Sequence, residues 1–384
     1  MQTVYINDIG IFLPNKPVKN HDMESILGIV GNKPSKARKI VLRSNGIQSR
    51  YYAINAATGE TTHSNKDLTL AAIEALSKKG LNLNDVECLA CGTSSPDQLL
   101  PSHAVMVHGD SSLPACEVAS FSGICASGIQ ALKYGYISVL SKQCNQAIST
   151  GSEISSSVMR SQQFQDELQD EVDKLEQKTS LAFGKDFLRW MLSDGAGAAS
   201  LSNKPNNHKL SLKIEWIDIQ SFANELDVCM YQGGVKNDDG SLKGYRNFSQ
   251  SEILTQSIMC LEQDVKLLNK HITEISAKAL ANSVKKHNLD LSSIDYFLPH
   301  ISSMYFKEKL YHSYVESGYT IPLEKWFTNL SSVGNVGSAS IYIILEELLD
   351  SGKLQHGQSL LLMVPESGRF TMSFTLLTVV DAST

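Results

Sequence analysis

Three residues at the edges of regular elements carry the chemistry this chain can offer: Cys125, His300 and Asn335. Cys125 stands in Phe121-Ser122-Gly123-Ile124-Cys125-Ala126-Ser127-Gly128-Ile129. The small, β-compatible run Ala115–Phe121 precedes it. Ile129, Leu132, Tyr136, Ile137 and Leu140 follow at helical spacing. At a helix N-terminus, unpaired N–H groups and the helix dipole favour thiolate over thiol. Gly123 and Gly128 permit a sharp turn and leave room for an incoming acyl group. Such a cysteine suits nucleophilic catalysis on a thioester. An arbitrary cysteine is more often a structural apolar residue; the flanking glycines and the strand-to-helix junction weigh against that here. His300 directly follows the apolar strand Tyr296-Phe297-Leu298-Pro299. Asn335 sits in Gly334-Asn335-Val336-Gly337-Ser338, ahead of the apolar helix Ile341–Leu349. Alone, each means little: a lone histidine is usually structural, and an Asn-Gly-rich turn is usually only a turn.

The elements that must position these groups alternate along the chain. The first half predicts strands at Thr3–Ile9, Glu87–Gly92, Cys116–Phe121, Asn145–Thr150 and Ala196–Leu201, with helices at Asn65–Lys79, Pro101–Gly109 and Ala126–Ser141. The second half repeats the alternation. Its strands are Leu210–Asp218, Tyr296–Pro299, Ser359–Pro365 and Met372–Val380; its helices are Ser251–Leu268, His271–Asn288, Ser302–Ser317 and Ser338–Ser351. Two successive α/β halves, residues 1–205 and 206–384, suggest a duplicated layered architecture. Two stretches read as inserted: an amphipathic helix over 161–178, and a glycine-rich loop or lid over Asn224–Phe248.

The whole chain bounds the function class. Its 384 residues are 42% hydrophobic and 19% charged, enough for a large core. A net charge of −6 gives no reason to expect nucleic acid, and no apolar run reaches membrane-spanning length. Seven irregularly spaced cysteines point to reduced thiols in a cytoplasm. Cys88 and Cys91 have redox-pair spacing but fall inside a buried strand, so no metal site is expected there. One basic stretch stands out: Lys33 to Arg50 holds Lys36, Arg38 and Arg43 among its cations and no acidic residue. It reads as a solvated face or as a landing site for phosphate or an acidic partner.

Cys125, then Pro299-His300, then Gly334-Asn335 before a small-residue helix start, in that order, resemble the β-ketoacyl-carrier-protein synthase III branch of the thiolase superfamily. Ser193-Asp194-Gly195-Ala196-Gly197-Ala198-Ala199 is similar to the family's Gly-Asp-Gly-Ala-Gly-Ala-Ala element, with Ser for the leading Gly. Glu366-Ser367-Gly368-Arg369-Phe370-Thr371 takes the place of its C-terminal glycine-rich turn, where one glycine of three survives. The insert 32–38, the run Arg50-Tyr51-Tyr52-Ala53 and Gly151-Ser152-Glu153-Ile154 resemble more narrowly the ketosynthase–cyclases of dialkylresorcinol and stilbene-precursor biosynthesis. These join two acyl chains and close a cyclohexane-1,3-dione ring.

The resemblance implies a duplicated five-layered αβαβα fold, a homodimer, and phosphopantetheine-linked acyl substrates on acyl carrier protein or coenzyme A, with no metal or other cofactor. Cys125 would carry the acyl group, with the N–H groups of Cys125 and Gly368 as oxyanion donors and His300 and Asn335 stabilising an enolate. Lys36, Arg38 and Arg43 would receive the carrier arm. Lys39 stands near a position where coenzyme-A-using members place an aromatic, which favours carrier-protein thioesters. Glu153, at the C-terminal end of its strand, is either the base that removes a carbon-bound proton or a structural carboxylate. Ordinary decarboxylating synthases and non-catalytic partner subunits are the alternatives.

Overall fold

The computed structural model describes residues 2–30, 34–35, 38–164 and 187–382. Nine strands form one mixed sheet: β1 Tyr5–Phe12, β2 Cys88–Thr93, β3 Glu117–Ser122, β4 Gln146–Glu153, β5 Gly195–Ser202, β6 Leu210–Ser221, β7 Tyr296–Pro299, β8 Ser359–Glu366 and β9 Thr371–Asp381. Their order across the sheet is β7-β8-β9-β6-β1-β5-β4-β2-β3. From β1 outward, β5 runs antiparallel, β4 antiparallel to β5, and β2 parallel to β4. From β6 outward, β9, β8 and β7 follow with the same succession of directions. β4 and β8 therefore hold equivalent places in the two series, and β1 and β6 pair antiparallel at the join.

Seven helices are referred to below: α1 Arg38–Asn45, α2 Asn65–Lys78, α3 His103–Asp110, α4 Ala126–Leu140, α5 Val265–His287, α6 Tyr305–Glu316 and α7 Ser340–Asp350. α4 packs on β2, β3 and β4 of the first series and also touches β6, β8 and β9. α7 touches β1, β5 and β7. These two helices form the central layer, so both are apolar on more than one side. α2 and α3 cover the outer face of the first series, while α5 covers β9 and packs on α6 outside the second. The five layers follow. In the centre, a Cβ on Gly128 would meet the Ser338 carbonyl oxygen at 2.2 Å, so only glycine lets the two helix starts approach. Tyr342 Oη donates to the Gly128 carbonyl at 2.8 Å across the same seam.

Local chemistry fixes the element ends. Ser64 and Asp67 form a reciprocal capping box at the start of α2, and Asp264 caps α5 through the Leu267 N–H. That second cap corrects the helix expected over Ser251–Leu268. A short helix, Gln250–Thr255, ends at Gln256, and Glu262–Gln263 pairs as a strand with Met230–Tyr231 before Asp264 starts α5. The stretch Asn224–Phe248 is likewise not a plain loop, for it also holds the hairpin Gly234–Lys236 with Leu242–Gly244. Most of the amphipathic helix expected over 161–178 lies outside the described residues.

Candidate active site

The C-terminal ends of β4, β7 and β8 and the N-terminus of α4 converge on one cavity of about 50 Å³, room for about three or four water molecules. Cys125, Glu153, His300 and Asn335 all line it, together with Ser94, Pro365 and Ser367. Each of the four is nearly buried, at 8%, 1%, 2% and 4% exposure respectively. Leu188, Met191, Leu192 and Met230 make an apolar wall. Main chain holds that wall in place. The Trp190 carbonyl accepts from Asn45 Nδ2 at 2.8 Å and from Arg50 Nε at 3.1 Å, and Arg50 Nη2 adds a further bond. On the far side the Asn335 N–H donates to the Met191 carbonyl at 3.1 Å, and Ser193 N–H donates to the Asn335 carbonyl at 2.8 Å.

Those bonds also orient the asparagine. Asn335 Oδ1 accepts the Gly337 N–H at 2.9 Å, so its Nδ2 is the group left to donate to a bound oxygen. Gly337 has φ +52, and a Cβ there would stand 2.9 Å from Glu153 Cγ, so glycine is required for the turn to lie on the carboxylate. The His300 N–H donates to the Met363 carbonyl at 2.8 Å, continuing the β7–β8 ladder into the site. Burial holds the His300 imidazole down to about 4, and it is neutral at pH 7. A neutral ring can donate one N–H to a developing oxyanion.

Glu153 is the most heavily solvated-by-protein group in the cavity. Its carboxylate accepts from Ser94 N at 3.1 Å, Ser94 Oγ at 2.5 Å, Ser95 Oγ at 2.8 Å and Ser338 N at 3.3 Å. Burial raises its pKa, and these donors, Ser94 first, pull it back. The Cys125 thiol departs from the sequence expectation. It stands at the start of α4, yet burial pushes its pKa up, and the nearby Glu366 and Glu153 carboxylates push in the same direction. The resting group is a thiol; desolvation and two acidic neighbours outweigh the helix dipole.

Known proteins resemble this chain in sequence and in fold. Residues 284–376 match the 3-oxoacyl-[acyl-carrier-protein (ACP)] synthase III C-terminal family. The β-ketoacyl-[acyl-carrier-protein] synthase III of Koribacter versatilis is 23% identical over 373 residues, covering 97% of this chain and 96% of the relative. Among solved structures, OleA of Xanthomonas campestris with bound lauric acid and lauroyl-CoA superposes with a TM-score of 0.75 at 16% identity, covering 98% of this chain and 99% of OleA. AbyA1, a tetronic acid condensing enzyme, gives 0.73 at 18% identity and covers 98% and 100%. The chain has a thiolase-like fold and is similar over nearly its whole length to β-ketoacyl-[acyl-carrier-protein] synthases III, which are C–C bond-forming acyltransferases.

Other expected site residues lie differently. Gly368 is one residue beyond the cavity lining; Ser367 lines it, and the Gly368 carbonyl accepts the Cys229 N–H at 2.8 Å. Arg38 turns inward. It pairs with Glu24, donates to the Asn20 carbonyl and lies 5.8 Å over the Trp190 ring, so it anchors α1 rather than offering its charge outward. Arg43 is exposed on α1, and Lys36 lies outside the described residues. Cys88 and Cys91 are buried in β2, and no group of three metal-ligating side chains occurs among the described residues. Among those residues no helix is long and apolar enough to cross a membrane.

Sequence reasoning missed the supports of Glu153. Ser94 and Ser95 directly follow β2, at the strand end where α/β sheets collect their sites, and that position was the available signal. Asp194 was seen only as a motif letter. It binds Ser156 N at 2.8 Å and Ala53 N at 2.7 Å, tying the turn after Glu153 to the neighbouring loop.

Proposed function

We propose that the enzyme condenses two acyl thioesters, a β-ketoacyl and a 2-enoyl unit, and closes them to a cyclohexane-1,3-dione. That product would be the precursor of a dialkylresorcinol or a related compound. Cys125 holds one acyl group as a thioester, with backbone N–H groups of Cys125 and Gly368 as oxyanion donors. Glu153 removes a proton from the carbon that becomes nucleophilic. His300 and Asn335 Nδ2 donate to the thioester oxygen of the resulting enolate. The substrates arrive on phosphopantetheine, from acyl carrier protein or coenzyme A, with Arg43 and Lys36 at the carrier's approach, and the working form is a cytoplasmic homodimer.

One observation carries this reading: a buried carboxylate, Glu153, shares a cavity with Cys125, His300 and Asn335. A decarboxylating synthase generates its carbanion by losing carbon dioxide and needs no such base. A second, apolar cavity lined by Ile272, Ile301, Phe306, Leu310 and Met363 adjoins the first, sharing Ile272, Ser302 and Pro365 with it, and supports a second aliphatic chain. OleA, with its bound lauric acid and lauroyl-CoA, is a fold precedent for fatty acyl ligands, and AbyA1 for a condensing enzyme.

The whole-length likeness to β-ketoacyl-[acyl-carrier-protein] synthase III favours decarboxylative condensation as the second reading. A non-catalytic partner subunit is disfavoured, since all the side chains of the site are retained. The test is product analysis with paired β-ketoacyl and 2-enoyl carrier thioesters. A ring product without carbon dioxide release supports cyclisation. Carbon dioxide release from a malonyl thioester without a ring product overturns it, and no acyl adduct on Cys125 overturns both enzymatic readings.

A further inference from the structure

β4 and β8 occupy equivalent places in the two strand series, and each ends on a glutamate: Glu153 in the first and Glu366 in the second. Both carboxylates are electrostatic neighbours of the Cys125 thiol, Glu366 the stronger. Glu366 lies against the turn that presents the cysteine. Its Oε2 is 3.6 Å from the position of a Cβ on Gly123, and its Oε1 is 3.0 Å from that on Gly368. It thus sits between the nucleophile's own turn and the turn after β8, where a side chain on either glycine would crowd it. Its neighbours Pro365 and Ser367 line the cavity.

We propose that Glu366 is the proton acceptor that activates Cys125 for acylation, leaving Glu153 to act on the second substrate. The proposal rests on Cys125 as the nucleophile of the reading above. The thiol proton passes to the Glu366 carboxylate, and the thiolate attacks the carbonyl carbon of the acyl thioester. When the tetrahedral intermediate collapses, the bond to the phosphopantetheine sulfur breaks, and that sulfur takes the proton back from Glu366. Nothing is oxidised or reduced, and the carboxylate is regenerated.

The charges favour this division. A carboxylate beside the forming oxyanion would repel it, but a carboxyl that has just taken the thiol proton is neutral at that moment. Burial raises the Glu366 pKa, and the backbone N–H groups of Ala126 and Ile124, on either side of Cys125, pull it back towards the ionised form. The alternatives are poorer acceptors: His300 is a weak base in its buried place, and Glu153 is engaged by Ser94, Ser95 and Ser338. The groups against Glu366 are the Cys125 thiol at the start of α4 and the backbone N–H groups of Ile124 and Ala126. Arg369, on its own turn, is exposed and donates to the Leu226 carbonyl at 2.8 Å.

The test follows Cys125 acylation in single turnovers by intact-mass spectrometry, from pH 6 to 9, with full-length wild type, Glu366→Gln and Glu153→Gln. Near neutral pH, Glu366→Gln should acylate about 10²-fold more slowly. The deficit should shrink by about tenfold per pH unit as hydroxide replaces the missing acceptor. Glu153→Gln should acylate faster than Glu366→Gln and stall at the later condensation step. A deficit in Glu366→Gln that is equal at every pH marks a structural role and overturns the proposal, as does acylation at the wild-type rate. Glu366→Asp, which keeps the acceptor at shorter reach, should recover part of the rate with the wild-type pH profile; a rate no better than Glu366→Gln also overturns it. Failure of the wild type itself to acylate removes the nucleophile, and with it both this proposal and the reading beneath it.

Discussion

The two strand series end on the same cavity and contribute different kinds of surface to it. The first brings Cys125 and Glu153 on small, polar, tightly fitted chain, where Ser94, Ser95 and Gly128 leave no slack. The second brings His300 and Asn335, whose backbone N–H groups donate to the Met363 and Met191 carbonyls, while Asn335 Oδ1 accepts from Gly337. The equivalent glutamates show the contrast best. Glu153 is 1% exposed and held by side-chain hydroxyls, whereas Glu366 is half-buried and faces backbone N–H groups. A duplicated frame supplies equivalent positions; the local donors then decide which proton each carboxylate can handle.

Substitutions sharpen that contrast. Cys125→Ala should abolish the acyl adduct and lower turnover by on the order of 10⁴–10⁶-fold, with intact mass and product yield as the readout. His300→Ala or Asn335→Ala should still form the adduct but lose about 10²–10³-fold in the condensation step, since each removes one donor to the enolate oxygen. Equal losses in acylation and condensation would break the assignment of these residues to the second half-reaction. Glu153→Gln should lose the ring product while keeping the adduct. Because burial raises the Glu153 pKa and the base must be ionised, wild-type condensation should fall as pH drops through that raised value.

Stability gives the smaller effects. Burial raises Asp194 from 3.8 to about 6, so the folded state holds its proton where the unfolded chain has lost it. This group's contribution is therefore favourable below about pH 4 and is lost as pH rises through about 6. Asp194→Asn should flatten that slope in denaturant titrations, by up to about 3 kcal/mol across the window. Tyr342→Phe removes one hydrogen bond across the central seam and should cost about 1 kcal/mol, read as a small fall in Tm.

Much of the frame was legible in the sequence because its signals are local. Alternation and apolar runs located all nine strands to within a few residues, including the fully buried Cys88–Thr93. Cys125, His300 and Asn335 stood out as polar residues placed against apolar elements. What could not be read depends on distant partners. The break within Ser251–Leu268 arises because Glu262–Gln263 pairs with Met230–Tyr231, which no helical periodicity reports. The protonation of Cys125 follows first from its burial and then from carboxylates that lie near it in space but 28 and 241 positions away along the chain. Arg38 looked like part of an open basic patch until Glu24 and Trp190 were seen to enclose it.

The bonds on the Trp190, Met191 and Asn335 main chain have a consequence for how this catalyst can change. Leu188, Met191 and Leu192 shape the cavity with side chains, while the segment is fastened chiefly through carbonyls and N–H groups that any amino acid provides. Replacing those side chains would remodel the cavity and leave the attachment points untouched. The shape of the cavity can thus drift by single substitutions, without first dismantling the scaffold that aligns Cys125, His300 and Asn335.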